Sequence, residues 1–351
     1  VSAADGRDAA DGATPGGASP TAGPTTARTT TAQPLLRRRR WLIAIPLVVA
    51  IGGYVGAAWY MRTNETAFVF HPDQYGGRTM VAPAPDIPVE AVRIPTTDSL
   101  TLSAWVIPPL SAAEREIPPF GEAGAVASAT SDPIATEDAP LWVLFLHGNA
   151  ANISVPLRQA WIRPMRATGV GLVLVDYRSY GASDDGALTE AALYRDAQAT
   201  YDWMVGTRGI DPAHIVIFGH SLGSGVATHL AARVEAAGLV IEGAFTSIPD
   251  VGAERYPWLP VRWLARERFA SLARADSIAM PKLVLHAEDD TAIPFAMGQQ
   301  LFGAFTAPKT FVTLTGGHDR AFAADSATYF GSLTEWLGTL RVIDRESPPP
   351  G

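Results

Sequence analysis

The 351-residue chain contains no cysteine, which excludes a thiol nucleophile, a disulfide framework and any zinc site built on thiolates. A domain without cysteine folds alike in reducing and oxidising compartments, so this absence leaves location open. Lysine is nearly missing: Lys282 and Lys309 are the only two. Nor is there an excess of positive charge. The formal net charge of −8 argues against a nucleic-acid binder. That charge is uneven, with +3 on residues 1–40 and −11 on the remainder. At 47% hydrophobic residues there is material for a large core, and the length suits one α/β domain with appendages.

Residues 1–36 are mostly Ala, Gly, Thr, Pro and Ser, with too little apolar surface to offset the entropy of ordering. With the four arginines Arg37–Arg40, they form an expected disordered, basic-ended tail over 1–40. The next twenty residues, Trp41 to Tyr60, carry no charge; as a helix rising about 1.5 Å per residue they match a bilayer's hydrocarbon thickness. Trp41, Trp59 and Tyr60 sit where interfacial aromatics belong. A transmembrane helix over 41–60 is expected, acting as an uncleaved signal-anchor. Four arginines precede it, whereas only Arg62, offset by Glu65, follows, so the N-terminus is expected in the cytoplasm and the catalytic domain outside it. The rival reading is export with cleavage near Gly56–Ala58.

After the span, "VEAVRIP" and "LTLSAWVIP" read as two strands across a turn. Six short apolar runs follow: "LWVLFLHG", "GVGLVLVDYR", "HIVIFGHS", "GLVIEGAF", "PKLVLHAEDD" and "KTFVTLTGGHD". Helical-looking stretches separate most of them, which predicts an α/β fold, a mostly parallel sheet with helices on both faces. The expected domain covers 61–342, with an aperiodic surface insertion at 109–140 and a disordered tail at 343–351.

The stretch "GHSLGSGVA", Gly219–Ala227, leaves an apolar run and enters a helix. Gly-x-Ser-x-Gly in that setting predicts a nucleophile elbow with Ser221 at its tip and Gly219 and Gly223 giving room for the helix to pass the strand. The turn also aims the Leu222 N–H toward a developing oxyanion. A serine hydroxyl needs a base. Of the seven histidines, His318 in "GGHDR" follows the last predicted strand on a glycine-loosened loop and has the expected chain order. "LVLHAEDDTAIP" offers three acids at a strand end, Glu288, Asp289 and Asp290.

"HGN" at His147–Asn149, "DYRSYG" at Asp176–Gly181, "GHSLG", "HAEDDTAIP" and "GGH", in this order, resemble the α/β-hydrolase superfamily. With the N-terminal span, the chain is similar to its membrane-anchored serine hydrolases from about Phe68 to Leu340. The resemblance implies that the acid stands four residues after His286, at Asp290, although Ala287 replaces the usual glycine and Ser179 stands where the family has another. It implies a catalytic triad of Ser221, His318 and Asp290, an oxyanion hole of the Leu222 and Asn149 N–H groups, and no cofactor or metal. Asp176 and Arg178 are expected to orient loops.

Serine rather than aspartate at the elbow indicates acyl transfer to water. The expected function is a membrane serine hydrolase cleaving ester or thioester bonds of a small-molecule or lipid-like apolar acyl substrate. A serine peptidase with the same triad and a non-catalytic interaction module are the alternatives, and the oligomeric state is open. Residues 248–278 include Trp258, Trp263 and Phe269. These aromatics suit either a small cap shaping an apolar entrance or core packing at helical spacing.

Overall fold

The computed structural model describes residue 23, residues 34–110 and residues 139–346. The predicted insertion at 109–140 therefore lies outside the described residues except at its ends, as do most of the predicted tail 1–40 and the end of 343–351. Contacts divide the chain into two units, Val1–Tyr54 and Val55–Gly351. Helix α1 runs from Pro34 to Thr63 and so starts within the predicted tail. Its stretch Trp41–Thr63, 23 residues, is long and apolar enough to cross a membrane, and none of it is buried.

In the second unit a short helix α2 (Glu65–Val69) precedes the hairpin β1 (Glu90–Pro95) and β2 (Thr101–Ile107). Then β3 (Trp142–Leu146), α3 (Pro156–Ala167), β4 (Gly171–Val175), α4 (Glu190–Gly206), β5 (Ile215–His220), α5 (Leu222–Ala231) and β6 (Gly238–Glu242) alternate. Two helices, α6 (Ile248–Arg255) and α7 (Val261–Leu264), intervene before β7 (Lys282–Ala287). The chain ends with α8 (Phe295–Ala304), β8 (Lys309–Leu314), α9 (Gly317–Ala324) and α10 (Ser326–Glu346). The last helix passes the boundary expected at residue 342.

All eight strands form one sheet in the order β1-β2-β4-β3-β5-β6-β7-β8. β1 and β2 pair antiparallel, β2 runs antiparallel to β4, and the remaining pairs are parallel. The apolar runs of β3–β7 are continuous because both faces are covered. In β3, Leu144 and Leu146 belong to one core with Leu193 of α4 and Val226 of α5, while Val143 and Phe145 belong to the other with Trp161 of α3 and Trp336 of α10. Burying each such aliphatic side chain stabilises the fold by about 1.5–3 kcal/mol. Local signals set the helix starts: Pro156 opens α3, and the Thr189 hydroxyl accepts the Ala192 N–H at the start of α4.

The register decides where chemistry can occur. Leu146 pairs with Gly219, His220 with Glu242, Glu242 with Leu285, and Ala287 with Leu314. The C-terminal ends of β3 and β5–β8 thus share one edge, the edge at which open α/β sheets bind ligands.

Candidate active site

The elbow is built by steric demand. A Cβ on Gly223 would stand 1.9 Å from the Leu146 carbonyl oxygen, and one on Gly219 would stand 2.3 Å from the Gly223 oxygen. Only glycine lets α5 cross β3 and β5 so closely. Ser221, between them, adopts φ 52° and ψ −121°, a conformation that costs about 1–3 kcal/mol in a non-glycine residue. The strain is held by the Ser221 N–H, which donates to the Glu242 backbone carbonyl at 2.9 Å.

His318 opens α9 just past β8. Its Nε2 lies 2.7 Å from Ser221 Oγ and its Nδ1 lies 2.7 Å from Asp290 Oδ2. Ionised carboxylates only accept, so Nδ1 carries the proton and Nε2 accepts from the serine hydroxyl. Asp290 Oδ1 accepts the N–H groups of Ala292 and Ile293, each at 2.8 Å. Burial works to raise the Asp290 carboxyl, but hydrogen bonds from His286 and His318 outweigh it and hold the group well below the usual carboxylate range. Burial also works to lower His318, yet the Asp290 carboxylate, with Asp319 and Glu242 behind it, raises the imidazole above its ordinary 6.5.

Of the residues the sequence nominated, the structure brings Ser221, His318 and Asp290 into one hydrogen-bonded chain. Since the Ser221 N–H is spent on Glu242, the neighbouring Leu222 N–H is the elbow's free donor. Neither it nor the Asn149 N–H donates to a protein acceptor among the described residues, and both residues line the cavity that holds Ser221. The "HGN" turn is fixed from several sides. The Asn149 carbonyl accepts the His71 N–H and the Tyr180 hydroxyl, each at 2.9 Å. Arg158 donates to the Ala150 carbonyl at 2.8 Å and to that of Asn152. Tyr177 donates to the His147 carbonyl at 3.2 Å.

Several participants were not visible in the sequence. His220 Nε2 donates to the His318 carbonyl at 3.2 Å, and burial together with the nearby His318 pushes His220 down to about 4, so it is a neutral brace. Glu242, also on the cavity wall, is pushed up to about 7 by burial. Its Oε2 accepts the Tyr329 hydroxyl at 2.8 Å, and that hydroxyl accepts Trp161 Nε1–H at 3.0 Å. His220, His318 and Asp319 bring ligand-type atoms within 4.8 Å of one another, but both His318 nitrogens are engaged by Ser221 and Asp290. Ser179, where the family has another residue, adopts φ 63° and compensates by exchanging hydrogen bonds with Gly186, 3.0 Å each.

The cavity has a volume of about 910 Å³. Its walls are largely apolar, with Phe145, Leu157, Trp161, Phe245, Val261 and Leu264 among them. The aromatics of 248–278 divide differently from either expectation. Phe269 is fully buried, as core packing requires, but Trp258 and Trp263 are 59% and 89% exposed and neither lines the cavity. Tyr256, Val261 and Leu264 line it instead, because the short α7 turns its valine inward and its tryptophan out.

Residues 143–345 match the family model described as the alpha/beta hydrolase family. The chain belongs to the alpha/beta hydrolase family. With a serine at the elbow, this hydrolase is of the serine type. It is 29% identical over 312 residues to an uncharacterized protein of Mycobacterium tuberculosis, covering 88% of this chain and 99% of that one. It is 35% identical over 178 residues to the lysophosphatidylserine lipase ABHD12 of Danio rerio, covering 46% of each chain. The hydrolase thus spans about half the length of that lipase. The Pyrococcus furiosus esterase Pf2001 shares the fold at 17% identity with a TM-score of 0.58, covering 77% of this chain and 99% of the esterase.

Proposed function

We propose that this protein is a membrane-anchored serine hydrolase that cleaves the carboxylic ester bond of a monoacyl lipid through an acyl-enzyme. The observation that carries the reading is the unbroken relay Ser221–His318–Asp290, with both links at 2.7 Å, facing an apolar cavity large enough for an acyl chain. Ser221 Oγ attacks the acyl carbonyl while His318 Nε2 takes its proton. The resulting imidazolium is stabilised by Asp290 and returns the proton to the leaving alcohol. The N–H groups of Leu222 and Asn149 receive the oxyanion, and loss of one such donor costs about 3 kcal/mol. Water then repeats the sequence on the acyl-enzyme. The lipase name of its relatives supports a lysophospholipid as substrate class. Arg37–Arg40 ahead of the span support a cytoplasmic N-terminus with the catalytic unit on the opposite side.

The test is labelling by a fluorophosphonate together with hydrolysis of p-nitrophenyl esters of graded chain length. Wild type labels and prefers longer acyl groups. Ser221→Ala abolishes labelling and lowers turnover by about a millionfold. A folded wild type that neither labels nor turns over any ester refutes the proposal.

A further inference from the structure

The last turn of α1 belongs to the catalytic unit, and its Met61 and Arg62 line the catalytic cavity. Two links tie this end of the span to the segment around α7. Arg62 Nη1 donates to the Leu264 carbonyl at 2.5 Å. The Glu65 carboxylate accepts the N–H of Arg266 at 2.8 and 3.0 Å and the N–H of Glu267 at 3.0 Å. Trp263, 89% exposed, directly precedes the residue that Arg62 holds, and Trp258, 59% exposed, lies five residues before Trp263. A scattered surface tryptophan needs no explanation, but along the chain Trp263 stands one residue and Trp258 six residues from Leu264, whose carbonyl binds the end of the apolar span. Arg255, Arg262, Arg266 and Arg268 around them are exposed as well. Indole rings settle at the headgroup level, and arginines pair there with phosphate.

Building on the proposed function, we propose that residues 256–268 seat in the headgroup region of the bilayer that α1 spans, with Trp258 and Trp263 inserted, so that the cavity mouth opens onto lipid. Val261 and Leu264, which line the cavity, sit in the same segment as the inserted rings. A monoacyl lipid then passes its chain from the membrane to Ser221 without crossing water, and the surrounding guanidinium groups favour an anionic headgroup.

The absence of cysteine makes the test clean. Trp263→Cys and, as a control on the exposed face of α4, Asp202→Cys are labelled with an environment-sensitive fluorophore in the full chain. Each is reconstituted in phosphatidylcholine–phosphatidylglycerol vesicles with and without nitroxide-bearing lipid. Seating predicts a blue-shifted emission quenched by headgroup-proximal nitroxide at position 263 and water-like emission at 202. Water-like emission at both overturns it, as does a blue shift without lipid quenching, which would place a second copy of the chain there. In parallel, Trp258→Gln with Trp263→Gln lowers hydrolysis of a vesicle-borne monoacyl lipid by about tenfold while a dispersed short-chain ester is turned over as before. Equal rates on both substrates overturn entry from the bilayer. The fluorescence readout is independent of activity, so failure of the lipase reading and failure of the seating are distinguishable.

Discussion

The carboxylates of Asp289 and Asp290, adjacent in the chain, hold two different parts of one loop. Asp290 Oδ2 lies 2.7 Å from His318 Nδ1, whereas Asp289 Oδ1 accepts the N–H groups of Gly316 and Gly317 at 3.0 and 2.9 Å. One orients the imidazole and the other fixes the glycines that carry it. Asp290→Asn keeps the shape but favours the wrong tautomer, and kcat should fall by about ten-thousandfold. Asp289→Asn keeps an acceptor for the same N–H groups and should cost only about tenfold or less. Ester turnover by both variants, with circular dichroism as a fold control, separates the two. Equal losses would remove Asp290 from its role.

Glu242 gives the pH profile a second determinant. His318 must be neutral to accept the serine proton, and its pKa is raised above 6.5, so activity falls as pH drops through a midpoint above that value. An ionised Glu242 is among the charges that raise it. Glu242→Gln should therefore shift the acid limb of kcat/KM to lower pH. The stability sign is also fixed. Burial lifts Glu242 from 4.5 to about 7, so the folded chain binds the proton more tightly. That stabilisation is complete below pH 4.5 and is lost as pH rises through 7. Relative to wild type, the Gln variant should gain stability between pH 5 and pH 8 by up to about 3 kcal/mol, read from urea midpoints at the two pH values. A pH-independent difference would contradict the assignment.

The β3–β7 strands were legible because strands covered on both faces must be apolar throughout, and the elbow because its glycine requirement is local. The distinction between Asp289 and Asp290 came from resemblance alone, since both stand at one strand end and only the fold shows which faces His318. His220, Glu242 and Arg158 gave no signal: their partners lie across strands or in other loops, and register is not written in any one segment. Trp258 and Trp263 misled because an aromatic-rich stretch at helical spacing fits core, cavity and surface equally until the path of the backbone is known.

Gly223→Ala should separate folding from chemistry. The added methyl would meet the Leu146 carbonyl at 1.9 Å and its carbon at 2.6 Å, and these are backbone atoms of a central strand with no rotamer to relieve them. The cost should reach about 3 kcal/mol or more, seen as insoluble expression or a large drop in Tm. Ser221→Ala, which leaves the packing intact and relieves no clash, should melt close to wild type. A Gly223→Ala protein with normal Tm would mean that α5 does not cross β3 as described.

Arg178 connects the stability of the fold to the turn at His147–Asn149 that is proposed to supply an oxyanion donor. Its guanidinium, almost fully buried, pairs with Asp196 Oδ1 and Asp98 Oδ2, each at 2.7 Å. The loop it anchors also carries Tyr177 and Tyr180, whose hydroxyls hold the carbonyls of His147 and Asn149. Arg178→Met strands the fully buried Asp196 without a counter-charge, and removal of one partner from such a pair costs about 3–5 kcal/mol. Adding Asp196→Asn removes the stranded charge while keeping an acceptor for the backbone N–H of residue 178, which Asp196 Oδ2 receives at 2.9 Å, and should recover most of that loss in urea denaturation. If the buried pair acted on stability alone, the double variant would also recover turnover. Because the guanidinium further ties this loop to Asp98 in the β1–β2 turn, turnover should stay depressed while stability returns, and that split is the measurable sign that Arg178 positions the Asn149 N–H.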